Sequence, residues 1–141
     1  MRNAGQLLEG KGAIYWIAPD ETVLEAIRRM ASHGIGALLV MEGERLVGIV
    51  SERDYARKVI LKDRSSAGTK VAEIMSSPVV TVNPSTSLDA CMRLVTERRI
   101  RHLPVVEGHV VTGVLSIGDL VKAVIDEQAA EIGKLREYIA G

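Results

Sequence analysis

Apolar positions along the chain follow two periods in turn. Short runs at residues 14–17, 37–41 and 46–50 read as strands, whereas Val23, Ala26, Ile27 and Met30 recur at the three- and four-residue spacing of a helix buried on one face. Pro19 closes the first run, because proline has no N–H to give to a sheet ladder. Thr22 followed by Glu25 is a capping-box pattern that starts the helix. The runs 37–41 and 46–50, held apart by Glu42-Gly43-Glu44-Arg45, predict a β-hairpin, and a second helix is predicted from Ser51.

This order then recurs. Residues 14–60 align without a gap onto residues 79–125, at the constant offset of 65 that separates Pro19 from Pro84. Arg28 matches Arg93, Ile35 matches Ile100, Gly43 matches Gly108, Gly48 matches Gly113, Ser51 matches Ser116 and Asp54 matches Asp119. Turn, cap and core positions therefore repeat together. The second copy has a run at 79–82, a helix face of Leu88, Cys91, Met92 and Val95 behind Ser87, and hairpin runs at 103–106 and 110–115. The fold class is α/β, two tandem β-α-β-β-α units. We divide the chain into a first repeat (1–62), a polar linker (63–70), a second repeat (71–126) and a helical extension (127–141). Units of this size bury too little surface alone, so they are expected to pack as a pair.

Composition narrows the function. Eighteen Lys plus Arg balance eighteen Asp plus Glu, so no net field draws the chain to nucleic acid or to an anionic membrane. With no Phe and an aromatic share of 3%, the stacking platforms of single-strand binders are missing. No run approaches the roughly 20 apolar residues of a membrane span, the N-terminus lacks the apolar core of a secretory signal, and the single Cys91 has no disulfide partner. We expect a cytoplasmic protein with no membrane or nucleic-acid partner. Three scattered histidines and one cysteine offer no metal-ligand spacing, and Cys91 falls on an apolar helix face with no histidine near it in sequence.

The chemistry lies in one local motif present twice, Gly48-Ile49-Val50-Ser51-Glu52-Arg53-Asp54 and Gly113-Val114-Leu115-Ser116-Ile117-Gly118-Asp119, each where a strand becomes a helix. Two readings are open. Ser-x-x-Asp can satisfy the free amides of a helix start with no ligand at all. The same amides and hydroxyl can hold a phosphate, while the carboxylate accepts two hydrogen bonds from a ribose diol. Gly48 and Gly113 allow a close backbone approach.

The whole pattern resembles the CBS-domain family, and in particular a standalone tandem pair. The resemblance rests on the two Gly-x-x-Ser-x-x-Asp motifs, on Ile100-Arg101-His102-Leu103-Pro104-Val105-Val106, and on Glu73-Ile74-Met75 leading to Val79-Val80-Thr81-Val82-x-Pro84. It implies a pseudo-twofold pair of repeats with two clefts for AMP, ADP, ATP or NAD, each mixing both repeats. It further implies control of a partner protein, and a homodimer. By matching residues, Ser51, Arg53 and Asp54 are expected to face Val80, Ile100, Arg101 and His102, and Ser116, Gly118 and Asp119 to face Tyr15, Ile35, Gly36 and Ala37. The expected function is a non-catalytic adenine-nucleotide sensor acting on an effector protein in trans. The alternative is a ligand-free dimerisation or protein-interaction module.

The repeats differ where charge matters. Arg101 and His102 align with Gly36 and Ala37, and Arg53 aligns with Gly118, so the Asp54 cleft is expected to gather arginines and to favour polyphosphate, with only Lys122 near Asp119. Arg98 and Arg99 read as solvated. Of the neighbours Tyr15 and Trp16, strand alternation sends one to the core, and the resemblance sends Tyr15 to the cleft. Val121, Ile125, Ile132, Leu135 and Ile139 form a stripe that can pack on the module or on a second subunit. Gly133 weakens that helix by about 1 kcal/mol.

Overall fold

A computed structural model describes residues 2–140. The chain forms two compact units that do not follow the repeats in sequence order. Ala13–Val79 makes one, and the residues through Gly12 join the chain from Val80 onward to make the other.

In the Ala13–Val79 unit, β1 (Trp16–Ile17) runs parallel to β2 (Ala37–Glu42), which pairs antiparallel with β3 (Arg45–Ser51). Helices α2 (Val23–His33), α3 (Glu52–Lys58) and α4 (Val71–Ile74) accompany this sheet. The core joins Ile17 to Val23, Ala26 and Met30 of α2, to Leu38, Val40 and Val50 of the hairpin, and to Val71 and Ile74 of α4. The helix face and the hairpin runs read from the sequence thus supply most of this core, and the first run supplies Ile17.

The second unit repeats the scheme with α1 (Ala4–Leu7), α5 (Leu88–Arg98), β4 (His102–Glu107), β5 (Val110–Ser116) and α6 (Ile117–Ala140). Its core comprises Ala4, Leu88, Cys91, Val95, Leu103, Val105, Leu115, Leu120 and Ala123 among others. Both hairpins slip register at the same repeat position, after Val40 and after Val105, leaving Val47 and Thr112 as the extra residues.

Each unit borrows its short lead-in helix from the segment before the other repeat. Ala72 N–H donates to the Pro19 carbonyl (2.9 Å) and Val71 N–H to that of Glu21 (2.9 Å), while Val23 N–H donates to Thr69 (2.8 Å). In the second unit Gly5 donates to Pro84 (2.8 Å), Ala4 to Thr86 (2.8 Å) and Leu88 to Arg2 (3.0 Å). The acceptors Pro19 and Pro84 are an aligned pair, so the exchange is itself a repeat. Segment 63–70 is held to the first unit by Leu24 N–H to Ser66 carbonyl (3.0 Å) and by Ser66 Oγ to Tyr55 Oη (3.1 Å).

Four local expectations change. The first strand shortens to two residues, and its counterpart in the second repeat is a single parallel bridge, Val82 to Val105. Thr22 caps α2 through Glu25 N–H (3.1 Å), but the Glu25 carboxylate turns to Arg29 (3.2 Å), so the box is half formed. Trp16 is exposed and Tyr15 half-buried against the core, because Ile17 takes the inward place. The C-terminal stripe does not pack on its own unit: Leu120 and Ala123 hold α6 in place, while Val121, Ile125, Ile132, Leu135 and Ile139 stay exposed. The helix runs unbroken through Gly133.

Candidate functional site

Both Ser-x-x-Asp motifs close a reciprocal cap where the last hairpin strand turns into a helix. In the first, Asp54 N–H donates to Ser51 Oγ (3.2 Å), and Ser51 N–H returns a bond to Asp54 Oδ2 (2.9 Å), which also accepts from the serine hydroxyl (3.0 Å). In the second, Asp119 N–H donates to Ser116 Oγ (3.1 Å) and Ser116 N–H to Asp119 Oδ2 (2.7 Å). Cap and carboxylate are thus one device, since the bonds that start the helix also fix the acid's orientation.

Each carboxylate meets a lysine as well. Lys58, one turn on along α3, sets Nζ 3.2 Å from Asp54 Oδ1 and donates to the Ile74 carbonyl (2.8 Å), and Ser76 Oγ reaches the same carboxylate oxygen at 3.4 Å. Lys11, delivered by the lead-in of the other repeat, sets Nζ 2.5 Å from Asp119 Oδ2. Partial burial pushes the Asp119 carboxyl up, but the Lys11 ammonium and the Ser116 donors outweigh it and hold the group below the usual aspartate range.

Of the other candidates, Gly36, Ala37, Arg101 and His102 lie beside the motif of their own repeat, and Tyr15, Ile35, Val80 and Ile100 lie against the core of their own unit. Ala37 stands opposite Ser51 in the β2–β3 register, and the Gly36 carbonyl accepts the Glu52 N–H (3.0 Å) that opens α3. His102 stands opposite Ser116, and the Arg101 carbonyl accepts the Ile117 N–H (2.8 Å) that opens α6. Tyr15 stacks on His33 with ring centroids 3.9 Å apart, and Tyr15 and Ile35 both pack against the core of the Ala13–Val79 unit. Val80 and Ile100 lie on the core of the second unit. Arg53 is half-buried, while Arg101 and Gly118 are exposed.

Sequence reasoning missed both lysines. Lys58 was legible, lying four residues after Asp54 in a predicted helix. Lys11 was not, because only the exchanged lead-in brings it to Asp119. Gly48 and Gly113 are the seats of the lead-in side chains Met75 and Leu8. Among the described residues there is no group of three or more His, Cys, Asp or Glu able to hold a metal, and no helix long and apolar enough to cross a membrane. Burial pushes the Cys91 thiol up, leaving it a protonated core residue.

Comparison with known proteins points one way. The model of the family described as "CBS domain" matches residues 12–61 and again 71–126. The chain is 41% identical over 146 residues to "CBS domain-containing protein CBSX3, mitochondrial" of Arabidopsis thaliana, covering 100% of this chain and 70% of the relative. Among solved structures it is similar to the CBS-domain containing protein ATU1752 of Agrobacterium tumefaciens, with 33% identity, a TM-score of 0.81 and 86% of this chain and 98% of that one covered. A hexameric CBS-CP12 protein from bloom-forming cyanobacteria is similar at 28% identity and a TM-score of 0.78, over 86% and 70% of the two chains. None of these three names states a catalysed reaction.

Proposed function

This chain belongs to the CBS-domain family of regulatory modules, with two copies of the domain in tandem, and from that premise we propose that it is a non-catalytic sensor of adenine nucleotides that controls a partner protein. The observation that carries the reading is the lysine beside each capped carboxylate, Lys58 at Asp54 and Lys11 at Asp119. A helix cap requires the serine and the acid but no lysine. A nucleotide uses all three: the carboxylate takes the ribose diol, while the serine and the ammonium take phosphate oxygens.

AMP, ADP, ATP and NAD all fit this chemistry, and the exposed Arg101 and half-buried Arg53 favour the more highly phosphorylated of them. Tyr15, Ile35, Gly36, Ala37, Val80, Ile100 and His102 are included as contacts on the strength of the family resemblance. The output we assign to it is self-association, as a homodimer, or an effect on another protein, as the family resemblance implies.

One observation favours the second reading, a ligand-free interaction module: the caps are satisfied internally, and Lys11 neutralises Asp119 without any ligand. Calorimetric titration with AMP, ATP and NAD, followed by chromatography of the ligand, separates the readings. Saturable heat with the ligand recovered unchanged supports the sensor. Absence of heat and of thermal shift with all three supports the interaction module, and conversion of any ligand marks an enzyme.

A further inference from the structure

We propose that α6 carries a seam for a second copy of this chain, pairing two α6 helices side by side and parallel. The proposal deepens the homodimer part of the functional reading and is independent of nucleotide binding. Three observations lead to it.

First, the latter half of α6 has no cover. Leu120 and Ala123 are its buried residues, and none after Glu127 is buried, although the helix continues to Ala140. An unsupported helix of about three and a half turns is marginal in water. Second, its exposed apolar residues keep a seven-residue repeat. Ile125, Ile132 and Ile139 occupy one core position of the repeat, and Val121, Gln128 and Leu135 the other; all are exposed, Ile139 at 82%. At 3.6 residues per turn this seam lies roughly a third of a turn from the face that Leu120 and Ala123 bury, so a second helix can reach it without displacing the core that α6 already covers. Isoleucine at all three first positions, with Leu135 at one of the second positions, suits a parallel two-stranded pairing, and the one polar core residue, Gln128, pairs with its own copy only when the two helices are parallel and in register.

Third, the flanking charges choose the direction. Glu131 and Arg136 sit on opposite flanks of the seam, five residues apart. In a parallel pair Glu131 faces Arg136 of the partner subunit, and the arrangement occurs twice. An antiparallel pair would set the like flanks together, with Glu131 against the partner's Glu131.

Sedimentation of the full chain across a concentration series tests this. The parent should dimerise, and Ile132→Lys with Leu135→Lys should weaken the dimer roughly a hundredfold or more. Both residues are exposed, so the melting of the two units checks that the variant still folds. Glu131→Arg should weaken the dimer, and adding Arg136→Glu should restore it. Leu135→Cys should cross-link under mild oxidation, with Cys91 buried and unable to interfere. A parent that is monomeric at every concentration overturns both the seam and the homodimer. A dimer indifferent to the paired lysines overturns the seam and leaves the homodimer standing, and a dimer that fails to cross-link through Leu135→Cys overturns the parallel pairing. Calorimetry with ATP on the lysine variant judges the sensor reading separately.

Discussion

Lys11 Nζ lies 2.5 Å from Asp119 Oδ2, joining a residue near the start of the chain to the first turn of its last helix. The same carboxylate oxygen accepts the Ser116 N–H. Any ligand that uses Asp119 must therefore share it with Lys11 or draw the ammonium away to an anionic group of its own.

That contact sets a pH dependence. Burial raises the Asp119 carboxyl, and Lys11 together with Ser116 lowers it further than burial lifts it. A carboxyl held below its unfolded value adds stability that is complete above the unfolded value and is lost as pH falls through the folded one. Lys11→Gln should move the Asp119 titration upward, so that less stability is lost on acidification than in the parent and the loss is complete at a higher pH. Carbon-detected NMR titration of the aspartate carboxyls, with urea melts between pH 7 and pH 3, measures both effects. An unmoved Asp119 titration would show that Lys11 is not its counter-ion in solution.

Replacing each carboxylate should remove nucleotide affinity at its own motif. Loss of a hydrogen bond to a charged group costs about 1.5 to 3 kcal/mol, more than tenfold in affinity. Because both acids also cap helices, Asp54→Asn and Asp119→Asn suit this better than alanine: the amide oxygen can still accept the Ser51 or Ser116 N–H. Calorimetry with ATP should then show one binding event lost per variant, with thermal unfolding nearly unchanged. Early melting with normal binding would assign the acids to capping alone.

Much of the fold was legible because it is local. The hairpins follow from apolar runs around short polar turns, and the caps at Ser51 and Ser116 follow from serine and aspartate three residues apart. What escaped was non-local. The exchange of α1 and α4 leaves no periodicity in sequence, since each is a four-residue helix whose partner lies in the other repeat. Lys11 was lost with it. The shortened first strand escaped for another reason: an apolar run marks residues that are buried or paired without saying how many form the strand, and Tyr15, just outside it, lends its carbonyl to the Leu39 N–H (3.2 Å) and stacks its ring on His33.

The helix ends offer a stabilising substitution. Gly34 ends α2 at a φ of 63°, and its aligned counterpart Arg99 ends α5 at a φ of 53°. Only glycine holds this left-handed geometry without a Cβ penalty, which for other residues is about 1 kcal/mol or more. The arginine side chain is exposed. Arg99→Gly should therefore raise the midpoint of thermal unfolding by a few degrees, part of the gain being offset by the freer unfolded chain. A drop would mean that Arg99 makes contacts in solution worth more than the backbone strain.

The two glycine seats should respond differently to the same added methyl. A Cβ at Gly113 would stand 2.6 Å from Leu8 Cδ2 and 2.9 Å from Cδ1, so only a side chain is in the way. A Cβ at Gly48 would stand 2.5 Å from Met75 Sδ, but also 3.2 Å from the Ser76 carbonyl oxygen, which is fixed by the bond it accepts from Ile49 N–H (3.1 Å). Overpacking of this kind costs typically about 1 to 3 kcal/mol. For Gly113→Ala that cost should largely vanish in a Leu8→Ala background, because the clash and its relief are one contact. For Gly48→Ala, Met75→Ala should relieve only part, since the thioether was free to bend away and the carbonyl is not. Double-mutant cycles in urea give the two coupling terms directly. Strong coupling at Gly113 with weaker coupling at Gly48 is the expected result. Additive losses at Gly113 would mean that Leu8 does not occupy that seat, and that the borrowed helix α1 is held by its backbone bonds to Pro84 and Thr86 alone.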